Sequence, residues 1–186
     1  GDMVMAQGVL QYLKHHHPHC QTDVLAMPWC LPLLKRMPEV DTILPSPSQH
    51  KRLNLISRFQ MGKKLRDKYD TAILLRNSFK AAIIPFVAKI PHRIGWNKEG
   101  RGILLTDARA FNPNKHRPML QQFLTLAAAT ESTELGNSKQ FYPKLSLDQT
   151  SIERTIQKFS IKKNLPRLVL CPGAEFGSAK QWPAKH

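Results

Sequence analysis

Three short stretches of this chain hold residue types that could do chemistry. The first is Val169-Leu170-Cys171-Pro172-Gly173-Ala174-Glu175-Phe176-Gly177-Ser178-Ala179-Lys180-Gln181-Trp182-Pro183. An apolar run enters a glycine turn, and a lysine follows where a helix would open. Backbone N–H groups and a helix N-terminus can hold a phosphate there, with the lysine as a point charge. Gly173 and Gly177 fit neither the Walker A nor the dinucleotide spacing, so a plain strand–turn–helix junction accounts for the stretch equally well. The second is Gly1-Asp2-Met3-Val4-Met5-Ala6-Gln7. A carboxylate at a helix start can take a proton, but Asp is also a favoured helix cap. The third is Arg76-Asn77-Ser78-Phe79-Lys80-Ala81-Ala82, followed by Ile90-Pro91-His92-Arg93-Ile94-Gly95-Trp96. It places an amide, a hydroxyl and an ammonium just past an apolar run. Ser78 could simply cap the next helix, whereas Lys80 would direct a cation at whatever binds there.

Other polar groups carry less. Lys51, Arg52, Arg93, Lys98 and Arg101 could each meet an anion, but single surface cations are usually solvated. His15, His16, His17, His19 and Cys20 suggest a metal site by composition alone. Consecutive histidines fan around a helix end and suit the negative end of its dipole, and structural zinc spacing is not matched. No metal and no cofactor are expected. Cys20, Cys30 and Cys171 are scattered and odd in number, which reads as free thiols in a reducing compartment.

The elements that must position these groups alternate. Helices are expected at Met3–Lys14, Leu31–Arg36, Leu53–Lys68, Phe79–Ala88, 117–129 and 148–163. The first would turn Met3, Ala6, Leu10 and Leu13 inward, and the third Leu55, Phe59, Leu65 and Tyr69. The helix at 117–129 would bury Met119, Phe123 and Leu126. Strands are expected at Asp23–Met27, Thr42–Leu44, Thr71–Leu75, His92–Trp96 and Leu168–Cys171. The run 71–75 is continuously apolar, as in the buried middle of a parallel sheet. This order is that of an α/β, doubly wound parallel sheet. Such a sheet puts its first strand at the centre, and this sequence opens at the turn that would follow it.

The 186 residues are 41% hydrophobic, enough for a folded core, and no run is long enough to span a bilayer. The formal net charge is +15, from 28 Lys and Arg against 13 Asp and Glu. Such a surface attracts a polyanion: a nucleic acid, an anionic membrane or an acidic glycolipid. A basic nucleic-acid-binding α/β module is the alternative reading, although no zinc finger or aromatic-rich RNA motif is present.

The stretch PGAEFGSAKQWP resembles the phosphate-contacting motif of the ADP-heptose:lipopolysaccharide heptosyltransferases, glycosyltransferase family 9. Gly1–Gln7 is similar to that family's turn after its first strand, and the two middle stretches occur in the family's order. Within the family the combination is most similar to members whose acceptor is the first heptose of the inner core. The resemblance implies a GT-B architecture of two Rossmann-like domains. Residues 1–160 would be the acceptor-binding N-terminal domain lacking its first strand, and 167–186 the first strand and turn of the nucleotide-sugar-binding domain. A chain truncated at both ends would be inactive alone and would leave an exposed sheet edge.

The implied reaction is inverting transfer of L-glycero-D-manno-heptose from ADP-heptose to a heptosyl-Kdo-lipid A acceptor. Asp2 would be the base. Lys180, with Ser178 and Gly173, would hold the donor diphosphate. Asn77, Ser78, Lys80, Lys51, Arg52 and Arg101 would meet the acceptor. The protein would be cytoplasmic and peripheral at the inner membrane, with an anionic lipid surface as partner and no nucleic acid.

Overall fold

A computed structural model of the chain describes residues 1–47, 54–112, 114, 118–128, 138–162, 165–166, 168–171, 173, 179 and 181–182. The chain divides into two compact units, Gly1–Ser146 and Leu147–His186.

The first unit begins with helix α1 (Asp2–His16), followed by strand β1 (Asp23–Ala26) and the short helix α2 (Leu31–Leu34). Strand β2 (Thr42–Pro45), helix α3 (Leu55–Lys64), strand β3 (Thr71–Leu74) and helix α4 (Phe79–Val87) come next. Strands β4 (His92–Trp96) and β5 (Asp107–Arg109) and helix α5 (Met119–Ala127) complete the regular elements. Among the described residues all strand pairing is parallel. β1 pairs with β2 from Asp23 opposite Thr42, and the second sheet runs β3–β4–β5, with Thr71 opposite His92 and Ile94 opposite Asp107. Parallel neighbours require a crossover; α2 lies in that between β1 and β2, α4 in that between β3 and β4, and a short 3-10 turn at Arg101–Leu104 in that between β4 and β5.

β3 is therefore the edge of a three-stranded sheet, where the apolar run had suggested a central strand. Among the described residues β1 and β3 each keep one edge with no strand partner. They are linked at their lower ends by Tyr69, whose hydroxyl donates to Asp23 Oδ2 at 2.6 Å. Helix α1 covers both sheets. Ala6 and Val9 pack with Ile73, Leu75 and Phe123, while Met3 and Leu10 pack with Val24, Ala26 and Leu34.

α1 is also pressed against α5. A Cβ on Gly8 would lie 2.3 Å from Leu120 Cδ1 and 2.8 Å from the Phe141 carbonyl oxygen, so only glycine fits. Beside it Gln7, wholly buried, donates from Nε2 to Glu39 Oε2 at 3.0 Å and to the Lys144 carbonyl at 2.7 Å. Its Oε1 accepts from the Lys144 N–H at 3.0 Å. One amide thus ties α1 to two distant segments.

Several expectations are corrected. α3 is shorter than expected and turned over: Arg58 and Gly62 are buried, while Leu55 and Phe59 face solvent. Gly62 decides this, because it lets α3 lie directly against Val87 and the Ile84 carbonyl of α4. Leu65 is buried as expected. Met119 at the start of α5 is exposed, whereas Phe123 and Leu126 are buried. β5 was not anticipated, since Asp107-Ala108-Arg109 has no apolar run to announce it.

The second unit contains helix α6 (Gln149–Lys158). Asp148 caps it by accepting from the Ser151 N–H at 2.9 Å. The run 168–171, expected as a strand, pairs with no strand among the described residues, and Leu168, Val169 and Leu170 are exposed. An apolar run becomes a strand only beside a ladder partner.

Candidate active site

The topology gathers two of the three chemical stretches at one edge of the first unit. The six-residue connection from α1 to β1 places the end of α1 at the N-terminal edge of β1. A 15-residue helix spans roughly 22 Å, so Gly1 and Asp2 start at the opposite edge. Asn77, Ser78 and Lys80 directly follow β3 at that same C-terminal edge, where open parallel sheets bind ligands.

Gly1 is the N-cap of α1, and Asp2 is the first helical residue, with no capping bond from its side chain. Its carboxylate is exposed and takes no partner among the described residues. A carboxylate in the first turn is favoured by the helix dipole, and no other described group engages this one.

The turn after β3 is braced from beneath by Arg101, which has no exposed surface. Its Nε donates to the Trp96 carbonyl at 2.8 Å, one Nη to the Arg76 carbonyl, and the other to Asn77 Oδ1 at 3.3 Å. Burial lowers the guanidinium pKa from its ordinary value, and nearby Glu99 partly opposes that. Gly95 makes the space: a Cβ there would meet Arg101 Nη2 at 3.0 Å. The loop that delivers Arg101 turns through two left-handed residues, Glu99 (φ 52°) and Gly100 (φ 69°). Arg101 was expected to present charge to a ligand. Its donors instead fix Asn77 and the ends of β3 and β4.

Ser78 is the N-cap of α4, yet its side chain makes no capping bond, and its buried hydroxyl has no hydrogen-bond partner among the described residues. A buried unsatisfied hydroxyl is costly. The adjacent helix N-terminus is already in use, because the Phe79 N–H donates to Glu99 Oε2 at 3.1 Å. Sequence reading missed Glu99. Its only signal was its place before Gly100 in a tight loop. The Lys80 carbonyl accepts from Arg58 Nη1 at 2.8 Å, which ties α3 to the first turn of α4.

The remaining candidates fall elsewhere. Arg93 lies at the start of β4, the far edge, where its guanidinium donates to the Leu104 and Ile90 carbonyls. Lys98 Nζ sits 3.5 Å over the Phe111 ring. His16 stacks on Tyr12 with ring centroids 4.1 Å apart, and His15 meets it edge-on. Gly173 is exposed, and Lys51, Arg52, Ser178 and Lys180 lie outside the described residues.

The family model for glycosyltransferase family 9 (heptosyltransferase) matches residues 58–186, more than half of the chain. The chain belongs to this family. Lipooligosaccharide heptosyltransferase 2 of Haemophilus ducreyi is 45% identical over 191 residues, covering 100% of this chain and 55% of that protein. Lipopolysaccharide heptosyltransferase 2 of Escherichia coli is 39% identical over 190 residues, with the same coverage. The solved structure of E. coli ADP-heptose lps heptosyltransferase II matches 98% of this chain and 54% of that one, with a TM-score of 0.83 and 37% identity. The chain therefore spans about half the length of the relatives it matches, and its α/β, GT-B-type fold is theirs.

Proposed function

We propose that the full-length protein carrying this chain is an inverting glycosyltransferase. It moves L-glycero-D-manno-heptose from ADP-heptose to the first heptose of heptosyl-Kdo-lipid A. The observation that carries the reading is similarity along the whole chain to heptosyltransferase 2 proteins, with a free carboxylate, Asp2, at the edge where parallel sheets bind ligands.

The acceptor hydroxyl attacks the anomeric carbon from the face opposite ADP. A carbon–oxygen bond forms there as the bond to the diphosphate breaks. Asp2 takes the hydroxyl proton. Lys180, with Ser178 and the backbone at Gly173, neutralises the charge gathering on ADP. Asn77, Ser78 and Lys80 hold the acceptor, joined by Lys51 and Arg52, and Arg101 holds Asn77 in place. Residues 1–160 form the acceptor domain, and 167–186 open the donor domain. The reaction takes place at the cytoplasmic face of an anionic inner membrane, without a cofactor and without nucleic acid.

The test is ADP release by the full-length protein, given ADP-heptose and an acceptor bearing one core heptose, beside Asp2→Asn. Loss of a proton acceptor costs roughly 100-fold or more. Turnover that survives the substitution would reduce Asp2 to a helix-dipole partner. No release by the intact protein would sink the donor–acceptor assignment.

A further inference from the structure

Helix α3 turns Leu55, Ile56 and Phe59 outward, while Met61 packs inward with Leu65, Ile84 and Ile90. Its buried face carries Arg58, 5% exposed, and Gly62, while Leu55, Ile56 and Phe59 are 45%, 77% and 49% exposed. An amphipathic surface helix ordinarily does the opposite. Beside it Phe86 of α4 is 46% exposed. Between the two helices runs an open groove of about 450 Å³, with Phe59 and Phe86 as apolar walls and Lys63, Arg66, Lys89 and Arg93 around them. Arg93 lies over the Phe86 ring at 5.7 Å, and Arg66 reaches the Val87 carbonyl at 3.5 Å. Neither α3 nor α4 contains an acidic residue. The groove is thus lined by exposed apolar side chains and four cations, with no carboxylate among its lining residues.

From this we propose that the outer face of α3 and α4 docks the protein on an anionic lipid bilayer. Ile56 and Phe59 enter the headgroup–acyl boundary, and Lys63, Arg66 and Lys89 meet the lipid phosphates. A nucleic acid would use the cations but has no place for three outward apolar residues on one helix. A bilayer interface accommodates both, since binding there scales with buried apolar area plus attraction to anionic lipids. The inference rests on the proposed lipid-anchored acceptor for its choice of a membrane. It adds the face on which the protein would sit.

The test is partitioning of the full-length protein onto vesicles of phosphatidylethanolamine with 30% phosphatidylglycerol, against pure phosphatidylcholine. Each lysine near such a surface contributes a factor of roughly five, so Lys63→Gln with Lys89→Gln should weaken binding about thirtyfold. Ile56→Ser with Phe59→Ser should weaken it by roughly a hundredfold or more. Lys35→Gln with Lys144→Gln, an equal loss of charge at exposed residues outside the groove, should change it little. Equal losses in the two lysine pairs would overturn the proposal in favour of a diffuse charge effect. A loss in the Lys63 and Lys89 variant with none in the apolar variant would overturn it in favour of a water-soluble polyanion. Transfer to a deacylated, soluble acceptor separates the two readings. It should be unchanged in the lysine variants, and its absence from the unsubstituted protein would refute the transferase while leaving the vesicle result standing.

Discussion

Arg101→Met is the substitution that best tests how the site is held. Methionine fills the aliphatic volume of the arginine stem and removes the guanidinium. Three donated bonds vanish: to the Trp96 carbonyl at 2.8 Å, to the Arg76 carbonyl, and to Asn77 Oδ1 at 3.3 Å. Hydrogen bonds to a charged group contribute about 1.5–3 kcal/mol net, and an abandoned buried acceptor costs about 1–3 kcal/mol. Opposing this, the variant no longer buries a cation, which by itself costs several kcal/mol. Arg101 forms no salt bridge among the described residues, so this relief is real but partial. The balance is a destabilisation of about 3 kcal/mol, or roughly 6–12 °C in Tm for a chain of this size. Urea unfolding followed by tryptophan fluorescence is a suitable assay, because Trp96 is 1% exposed and its carbonyl is one of the acceptors. Arg101→Lys should fare no better, because one ammonium cannot reach three acceptors on two strand ends. A change below about 1 kcal/mol for Arg101→Met would refute the reasoning, since relief of desolvation would then equal the bonds lost.

Gly8→Ala should destabilise by about 1–3 kcal/mol, because the added methyl meets the Phe141 carbonyl, which is backbone and cannot rotate away; thermal unfolding measures this. Gln7→Leu should cost about 2–4 kcal/mol through the orphaned Lys144 N–H and carbonyl, and amide exchange at Lys144 should rise with it. The Tyr69 hydroxyl is pushed up to about 12, first by burial and then by its bond to Asp23. A raised folded pKa means the folded state holds its proton after the unfolded chain has lost it. Stability should therefore be intact below about pH 10 and fall toward pH 12. Tyr69→Phe should flatten that limb and remove an ultraviolet tyrosinate signal near pH 12. The Asp41 carboxyl is held below its ordinary value mainly by Lys14, then by the Thr22 N–H. Its contribution is present above the unfolded carboxylate range and lost as pH falls through the lowered value, so Asp41→Asn should remove part of the acid dependence of urea unfolding.

The apolar runs 23–27, 42–44, 71–75 and 92–96 each became a parallel strand, and the intervening helices were legible from periodicity. A run that alternates with helices has few other ways to bury itself. The position of Asn77, Ser78 and Lys80 at a strand end followed from the same pattern. The motif stretches carried the family. What the sequence could not supply was a choice among equivalent local patterns. The periodicity of α3 defines an apolar face but not the side that meets α4, and Gly62 against Val87 settled that. Arg101 and Lys80 are both cations near the same turn, yet one is wholly buried beneath it and the other is not. The reason is that Gly95, on a neighbouring strand, leaves room for a guanidinium. Glu99 reaches the start of α4 only because β4 pairs beside β3 and a left-handed turn follows it. β5 exists only through its ladder with β4. In each case the deciding neighbour lies far away in the sequence, and only the packed chain brings it into contact.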